Sequence, residues 1–597
     1  MDLALKHREE ATARLYGDPH NPLLHLERGR IHEQLGYPDL AAADAYRALT
    51  LFESVVDPDG CEFLARKRKD VTEQEEQEKE KRDEGDGEEE DDDEEENFTP
   101  TSQEEYDSSI GDVYGLLVRS LVRCGCLRDA YEFCLRGMNL LADGDGDLVK
   151  SEEIGLKEEM EKIKRISAIQ ERRRRRGSNS AAADDGEAEK EVQLNPTTLN
   201  AQGYARRVLY PWNEHEPDRK AADTLQLLNE RLGDVAPKCE VRAVSLPALH
   251  NDHPSHGSKK DGQDETKNAN EEVSIQLGLF AKEDIAPGEI ILRETSLLTA
   301  TNRLHDDLCD ACNGPLPELS SGNPPVACIE CDDTIFCSQE CHDRAQEVYH
   351  AAVCGQEGLE SIGKDIPDPK DKADYLYLLL LGRAIAMAAT QEVHPLELPE
   401  VKYIWGDFHD LPSSSTVISP SATSTEQTLL PWESDPTSTL PFSFQLSILQ
   451  PMRILEEMGL DPFATLPLYD TWVLNTLYAK FRGTASGRLS TWDGGPEVCA
   501  VHPLWCLANH SCDPNVRWEW GAEITFMART TEERAMWKEK DGRESRRNRG
   551  GIKKDEEILN HYCDIGLSVK ERREWARGAL GGMCLCERCL WEASLEE

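Results

Sequence analysis

The chain has 597 residues, with 67 Lys and Arg against 115 Asp and Glu, a formal charge of −48. So acidic a chain is not a general nucleic-acid binder, because neutralising phosphates takes a basic surplus. With 38% hydrophobic residues and 19 cysteines, it suits several globular domains joined by polar segments, not a small disulfide scaffold. Met1 to Tyr16 is charged and lacks the apolar core of a secretory signal peptide. The densest apolar stretch, Tyr375 to Leu381, is interrupted by Gly382 and Arg383 and falls far short of a membrane helix, so it reads as a buried helix. The expected setting is intracellular and reducing, where clustered cysteines bind metal more often than they form disulfides.

Two related units open the chain. Leu35 to Ala41 leads into Ala45, Ala48, Leu49 and Leu51; Cys124 to Ala130 leads into Cys134, Gly137, Met138 and Leu140. Both fit a short turn followed by a helix with small residues at 0, +4 and +7, where paired helices approach closely. Apolar stretches precede each, at Leu23 to Ile31 and Val113 to Leu121. The pattern resembles the tetratricopeptide repeat, a helix pair of about 34 residues; a generic helical hairpin bundle is the alternative. Between the units, 17 of the 24 residues from Glu73 to Glu96 are acidic, for a net charge of −14. That run repels itself and is expected to be disordered. A helix is expected over Glu152 to Gln170. The five arginines Arg172 to Arg176 after it suit a nuclear import signal or a solvated helix end. Linkers are expected at Arg172 to Pro196, Asp252 to Asn270 and Ser413 to Thr428.

Cysteine spacing is most informative between Cys309 and Cys354. Cys309-x2-Cys312, Cys328-x2-Cys331, Cys337-x3-Cys341 and His350-x3-Cys354 supply seven thiolates and one imidazole, enough for two tetrahedral zinc sites with no open position. Such sites are structural, and a segment this small needs them for want of a core. Cys584-x-Cys586-x2-Cys589 forms a second group, one ligand short, for which Cys512 is the candidate fourth. Helices are expected at Tyr375 to Ala389 and Phe442 to Met458, the second kinked or split by Pro451. A strand is expected over Glu523 to Met527, followed by a charged insertion, Thr530 to Lys554, that reads as a solvated loop or a contact for an acidic partner.

Four further pieces stand in a telling order. Gly278-Leu279-Phe280-Ala281 is followed by Ile285-Ala286-Pro287-Gly288-Glu289. Asn509-His510-Ser511-Cys512-Asp513-Pro514-Asn515 comes much later, then Asp555-Glu556-Glu557-Ile558 to Tyr562, then the Cys584 to Cys589 group. Together they resemble the SET domain of protein lysine methyltransferases, and the Cys309–Cys354 array inside it resembles a MYND finger, as in the SET–MYND subfamily. With the helical module in front, the whole is similar to fungal-type tetratricopeptide–MYND–SET proteins. The implied fold is multidomain α+β: an N-terminal α-helical repeat module, then a mostly β SET domain split by the zinc-binding finger, with a helical insert and a post-SET zinc loop. The expected boundaries are 1–65 and 106–170 for the helical repeats around an acidic insertion at 66–105, then 171–271, mostly linker with short ordered segments. The N-terminal SET part follows at 272–308, the finger at 309–354, the helical insert at 355–498, the catalytic SET part at 499–565 and the post-SET loop at 566–597.

The resemblance implies that the finger's sites interleave, with Cys309, Cys312, Cys337 and Cys341 on one ion and Cys328, Cys331, His350 and Cys354 on the other. It also implies a third zinc on Cys512, Cys584, Cys586 and Cys589. The implied cofactor is S-adenosyl-L-methionine, contacted by Leu277, Gly278, Asn509, His510 and Tyr562, with Tyr562 as catalytic residue. The implied substrate is a lysine ε-amine of a histone or a non-histone protein, and an acidic enzyme attracts a basic one. Lysine attacks only when neutral, which a narrow apolar channel favours. Two departures stand out: Gln276 replaces the first glycine of the opening motif, and Gly582-Met583 replaces an aromatic before the last cysteine group, whose place Trp505 is a candidate to fill. The alternative is an inactive scaffold that binds partners through finger and repeats. A nuclear or cytoplasmic location fits either.

Overall fold

The computed structural model describes residues 2–57, 101–142, 147–178, 194–247, 273–301, 308–331, 334–362, 372–406, 408, 439–489, 496–535, 549–580 and 583–596. The acidic run at 73–96 and the linkers at 252–270 and 413–428 lie outside these residues. The chain divides into two units. One comprises Met1–Val208 with Asp410–Leu474; the other comprises Leu209–His409 with Asn475–Glu597.

The first unit is built on helices. Asp2–Gly17, Pro22–Gln34, Pro38–Val56, Gln103–Cys124, Leu127–Leu141 and Asp147–Ser178 pack largely in succession. The small residues read from the repeat template lie in the core: Ala41, Ala45, Ala48, Ala130, Cys134 and Gly137 are all buried. At Gly137 the reason is steric, since a Cβ would come within 2.9 Å of both Leu156 and Tyr114. Helix ends follow local chemistry. Ser102 and Glu105 form a reciprocal capping box, and Gly125 closes its helix at φ 87°, a left-handed conformation that glycine adopts without a Cβ penalty. The arginines Arg172 to Arg176 continue the helix Asp147–Ser178 instead of following it, because nothing before Gly177 interrupts a run of good helix formers.

Two findings modify the expected organisation of this unit. The stretch 439–474, read as part of the helical insert 355–498 between the finger and the catalytic part, belongs to the N-terminal unit. Its strand Thr439–Ser443 pairs antiparallel with Gln202–Arg206, and Phe442, Phe444 and Phe463 complete the helical core. The helix expected from Phe442 therefore begins later, as a π-helical turn Gln445–Leu449 that passes into the α-helix Gln450–Glu457. Pro451 lies in the first turn of that α-helix, where its missing N–H costs nothing. At the centre of the unit, fully buried Arg28 donates to Asp44 on one side and to Asp470 on the other, at 2.5 and 2.8 Å.

The second unit is mixed. A four-stranded sheet runs in the order Asn509–His510, Glu557–Asn560, Val273–Ala281, Cys239–Pro247. Within the segment 171–271, expected to be mostly linker with short ordered segments, Cys239–Pro247 is a strand that pairs with Val273–Ala281 over its whole length. A second sheet joins Val516–Trp520, Ile524–Ala528 and Ile290–Glu294, and a third joins Thr299–Thr301, Pro496–Ala500 and Ser486–Leu489. One apolar cluster, including Leu279, Leu292, Leu507, Phe526 and Ile558, takes residues from the first two sheets and the turn before Asn509. Trp505 lies in that cluster, stacked on Phe526 at 5.7 Å and edge-on to Trp518, so it is a core residue.

The cysteine-rich segment Cys309–Cys354 forms a two-stranded ribbon, Val326–Ala327 with Ile335–Phe336, followed by the helix Gln339–Val348. It docks on the apolar helix Lys372–Gln391. Arg383 of that helix donates to the Asp310 carboxylate at 3.1 Å and lies 3.5 Å from the centroid of the Tyr349 ring, whose hydroxyl donates to the same carboxylate at 2.6 Å. Among the described residues, no helix is long and apolar enough to cross a membrane.

Candidate functional site

Three sets of four ligand atoms converge. Cys309, Cys312, Cys337 and Cys341 form the first; Cys328, Cys331, His350 and Cys354 the second; Cys512, Cys584, Cys586 and Cys589 the third. Within each set the ligand atoms lie within 4.8 Å of one another, so each could hold a metal ion. The sulfur separations include 3.8 Å for Cys312–Cys337, 3.6 Å for Cys337–Cys341, 3.8 Å for Cys328–Cys354 and 3.9 Å for Cys512–Cys584. A disulfide spans only about 2.0 Å. A tetrahedron with Zn–S of about 2.3 Å has edges of about 3.8 Å. The donor sets therefore fit a tetrahedral ion and not a bond between sulfurs. Knuckle geometry comes from the short spacings: the Cys312 sulfur accepts from the Gly314 N–H, and Ser338 caps the helix that carries Cys341.

The third set is anchored by arginines. Arg588 donates to the carbonyls of Cys512 and Ile565, at 2.7 and 3.1 Å, and Arg572 lies 3.7 Å from the Cys589 sulfur. A fifth thiol, Cys563, shares a further group with His510 and Cys512. It had no counterpart in the motif reading, because its partner is brought near only by the sheet.

Beside this set lies one unusual pairing. Asn509–His510 runs parallel to Glu557–Asn560, with Asn509 opposite Leu559 and His510 opposite Asn560. The opening strand Val273–Ala281 pairs with Glu557–Asn560 on its other side. Asn509 therefore meets Gly278. Its side-chain amide donates to the Leu277 carbonyl at 3.0 Å and to the Glu557 carboxylate at 2.8 Å. A Cβ at Gly278 would come within 2.7 Å of that carboxylate and 3.1 Å of the amide, so glycine lets the Asn509–Glu557 pair pack directly on the strand backbone. Strand alternation places Gln276 on the same face as Gly278.

Tyr562 follows the strand Glu557–Asn560. Its hydroxyl donates to the Ala508 carbonyl at 2.9 Å, and its backbone N–H donates to His510 Nδ1 at 3.0 Å. Burial pushes its phenol above the ordinary value of 10, with Cys506 and Glu557 adding to the effect and Arg219 opposing it. The segment holding Tyr562 is pinned by Asn515, which donates to the Glu557 carbonyl at 2.7 Å and accepts from the Leu559 N–H at 2.8 Å. Asp513 is locked by an ion pair with Arg534 at 3.0 Å, both side chains being almost fully buried.

Glu294 had no motif to mark it. Its buried carboxylate accepts the N–H groups of Leu504 and Trp505, at 3.0 and 2.7 Å, at the start of the turn leading to Asn509. Burial raises its pKa from 4.5 to about 7 against the pull of those two donors.

Residues 276–563 match the family model of the SET domain, a little under half of the chain. The SET domain is typical of protein lysine methyltransferases, so the match supports that class of enzyme, and with it a protein substrate. No curated protein matches the chain.

Proposed function

We propose that this chain is an S-adenosylmethionine-dependent protein-lysine N-methyltransferase of the SET–MYND type, acting on a histone or a non-histone protein. The observation that supports the reading is the parallel pairing of Asn509–His510 with Glu557–Asn560, beside which Asn509 bonds the Leu277 carbonyl and His510 accepts the Tyr562 N–H. Asn509 and the Leu277–Gly278 backbone would hold the cofactor, which supplies a methyl group on a sulfonium sulfur. Tyr562 would orient the lysine amine. Its hydroxyl hydrogen is already given to Ala508, so its oxygen is free to accept an amine N–H and direct the nitrogen lone pair. That hydroxyl is neutral near pH 7, as a phenol ordinarily is, and burial moves its pKa further upward. An apolar, desolvated channel would favour the neutral amine.

Three zinc ions would sit in the three ligand sets as structural sites, since each set is complete with four donors. The N-terminal helical hairpins, whose small-residue pattern resembles tetratricopeptide repeats, and the finger would bind protein partners. A chain of charge −48 suits a basic protein substrate. A nuclear or cytoplasmic location is proposed with it. The second reading, an inactive scaffold, is favoured by one observation: Gln276 shares the face of Gly278, where its side chain would compete with a cofactor. Calorimetry with S-adenosylmethionine or its demethylated product separates the two. Binding supports the enzyme; no heat at about millimolar cofactor leaves the scaffold.

A further inference from the structure

We infer that His510 is a positioning residue that couples the Cys512–Cys584–Cys586–Cys589 group to Tyr562. The inference rests on the proposed reading in one respect, that this group holds a metal ion. His510 Nδ1 accepts the backbone N–H of Tyr562 at 3.0 Å, and its Nε2 lies 3.4 Å from the Cys512 sulfur. Because Nδ1 is an acceptor, the ring hydrogen is on Nε2 and points at that sulfur. The imidazole thus bridges a ligand atom of the cysteine group to the backbone of the tyrosine, and its ring lies 5.2 Å from the phenol ring.

A second path runs through Cys563, the chain neighbour of Tyr562, whose thiol groups with His510 and Cys512; the His510 variants below separate the two. His510 and Tyr562 are 52 positions apart and Cys512 and Cys584 are 72 apart, yet two hydrogen-bonding contacts join the thiolate group to the tyrosine. The backbone on both sides is held. Ser511 N–H donates to the Asn560 carbonyl at 2.7 Å, and Arg588 ties the Cys512 carbonyl to the loop after Tyr562. With neighbouring backbone fixed, a change in where the Cys512 sulfur sits is passed to the ring that bonds it. A ligated thiolate is fixed in direction by its ion; an unligated thiol turns about its Cα–Cβ bond. Occupancy of the group then becomes a displacement of Tyr562.

The test uses the full chain with 3-fluorotyrosine placed at position 562, read by fluorine NMR, with zinc content measured on the same samples. Cys586→Ser breaks the ligand set through a residue that makes no contact with His510 among the described hydrogen bonds. It should lower zinc by one ion and move the fluorine resonance by several linewidths. His510→Asn keeps an acceptor where Nδ1 stands but has no atom to reach the sulfur. It should leave the resonance near the parent position and cut the response to Cys586→Ser to less than half, whereas His510→Ala should displace the resonance outright. The inference is overturned if zinc content does not fall, if the resonance ignores the loss of the ion, or if it moves equally with His510 and with Asn. Equal movement would also expose a general collapse of the loop. Cofactor calorimetry on the same proteins reports separately: absence of binding removes the methyltransferase reading and leaves the coupling result intact.

Discussion

The Asn509 side-chain amide donates to the Glu557 carboxylate at 2.8 Å, across 48 positions of sequence, and Gly278 lies beneath that bond. A methyl group at 278 has no room unless Glu557 moves. Gly278→Ala is therefore expected to break the pair, weaken cofactor binding at least ~10-fold and cost roughly 1–3 kcal/mol by overpacking. Calorimetry and thermal melting check both.

Tyr562→Phe removes the hydroxyl that donates to Ala508 while leaving the backbone bond to His510. Stability should fall by about 1 kcal/mol. Methyl transfer to a lysine substrate should fall on the order of 100-fold, with cofactor affinity retained, because the loss is one of orientation. A variant as active as its parent would take Tyr562 out of the mechanism.

Cys512→Ser should reduce metal content by about one zinc ion per chain. The finger ligands share no atom with this group, so their two ions should stay. Elemental analysis of purified protein decides it, and loss of all three ions would contradict independent sites.

In the helical unit, Asp470→Ala should be strongly destabilising. Arg28 is fully buried between Asp44 and Asp470, with Arg47 at 3.9 Å from Asp470. Removing one carboxylate leaves buried guanidinium charge uncompensated, at a cost of about 3–5 kcal/mol. Burial opposes ionisation of Asp470, yet Arg28 and Arg47 hold its pKa below the ordinary 3.8. Its stabilisation is present above that value and is lost as pH falls through the lower folded value. Denaturant melts of parent and variant should converge under strong acid.

Glu294 gives the opposite pH signature. Burial raises its pKa from 4.5 to about 7. Its contribution is intact below 4.5 and disappears as pH rises to about 7, where the buried carboxylate must ionise. The difference corresponds to about 3 kcal/mol. Glu294→Gln should flatten the stability profile between these values; an unchanged slope in denaturant melts would remove Glu294 as its source.

The chemistry of this chain was legible wherever it depends on neighbours in sequence. Paired cysteines two to four apart share a knuckle or a helical turn, so the groups that could hold a metal ion were visible as pairs. The spacing of small residues marked the helical core. Residues whose partners come from elsewhere were not legible. Glu294 looks like any strand carboxylate until the Leu504–Trp505 turn lands on it. Cys563 looks like a stray thiol until the parallel pair sets it beside Cys512. Trp505 was a candidate to replace the missing aromatic, and only the fold shows it packed against Phe526 and Trp518.

Sequence alone determined which residues are chemically equipped: the thiols, the Asn509–His510 pair, the tyrosine at 562 and the small-residue faces, because these follow from side-chain type and short spacing. Tertiary structure decided their partners. It brought twelve candidate ligands together in three sets of four, assigned 439–474 to the N-terminal unit and laid Asn509 against Gly278. The physical reason is that such choices are made by satisfying buried polar groups and filling cores across long separations, and no local pattern encodes that.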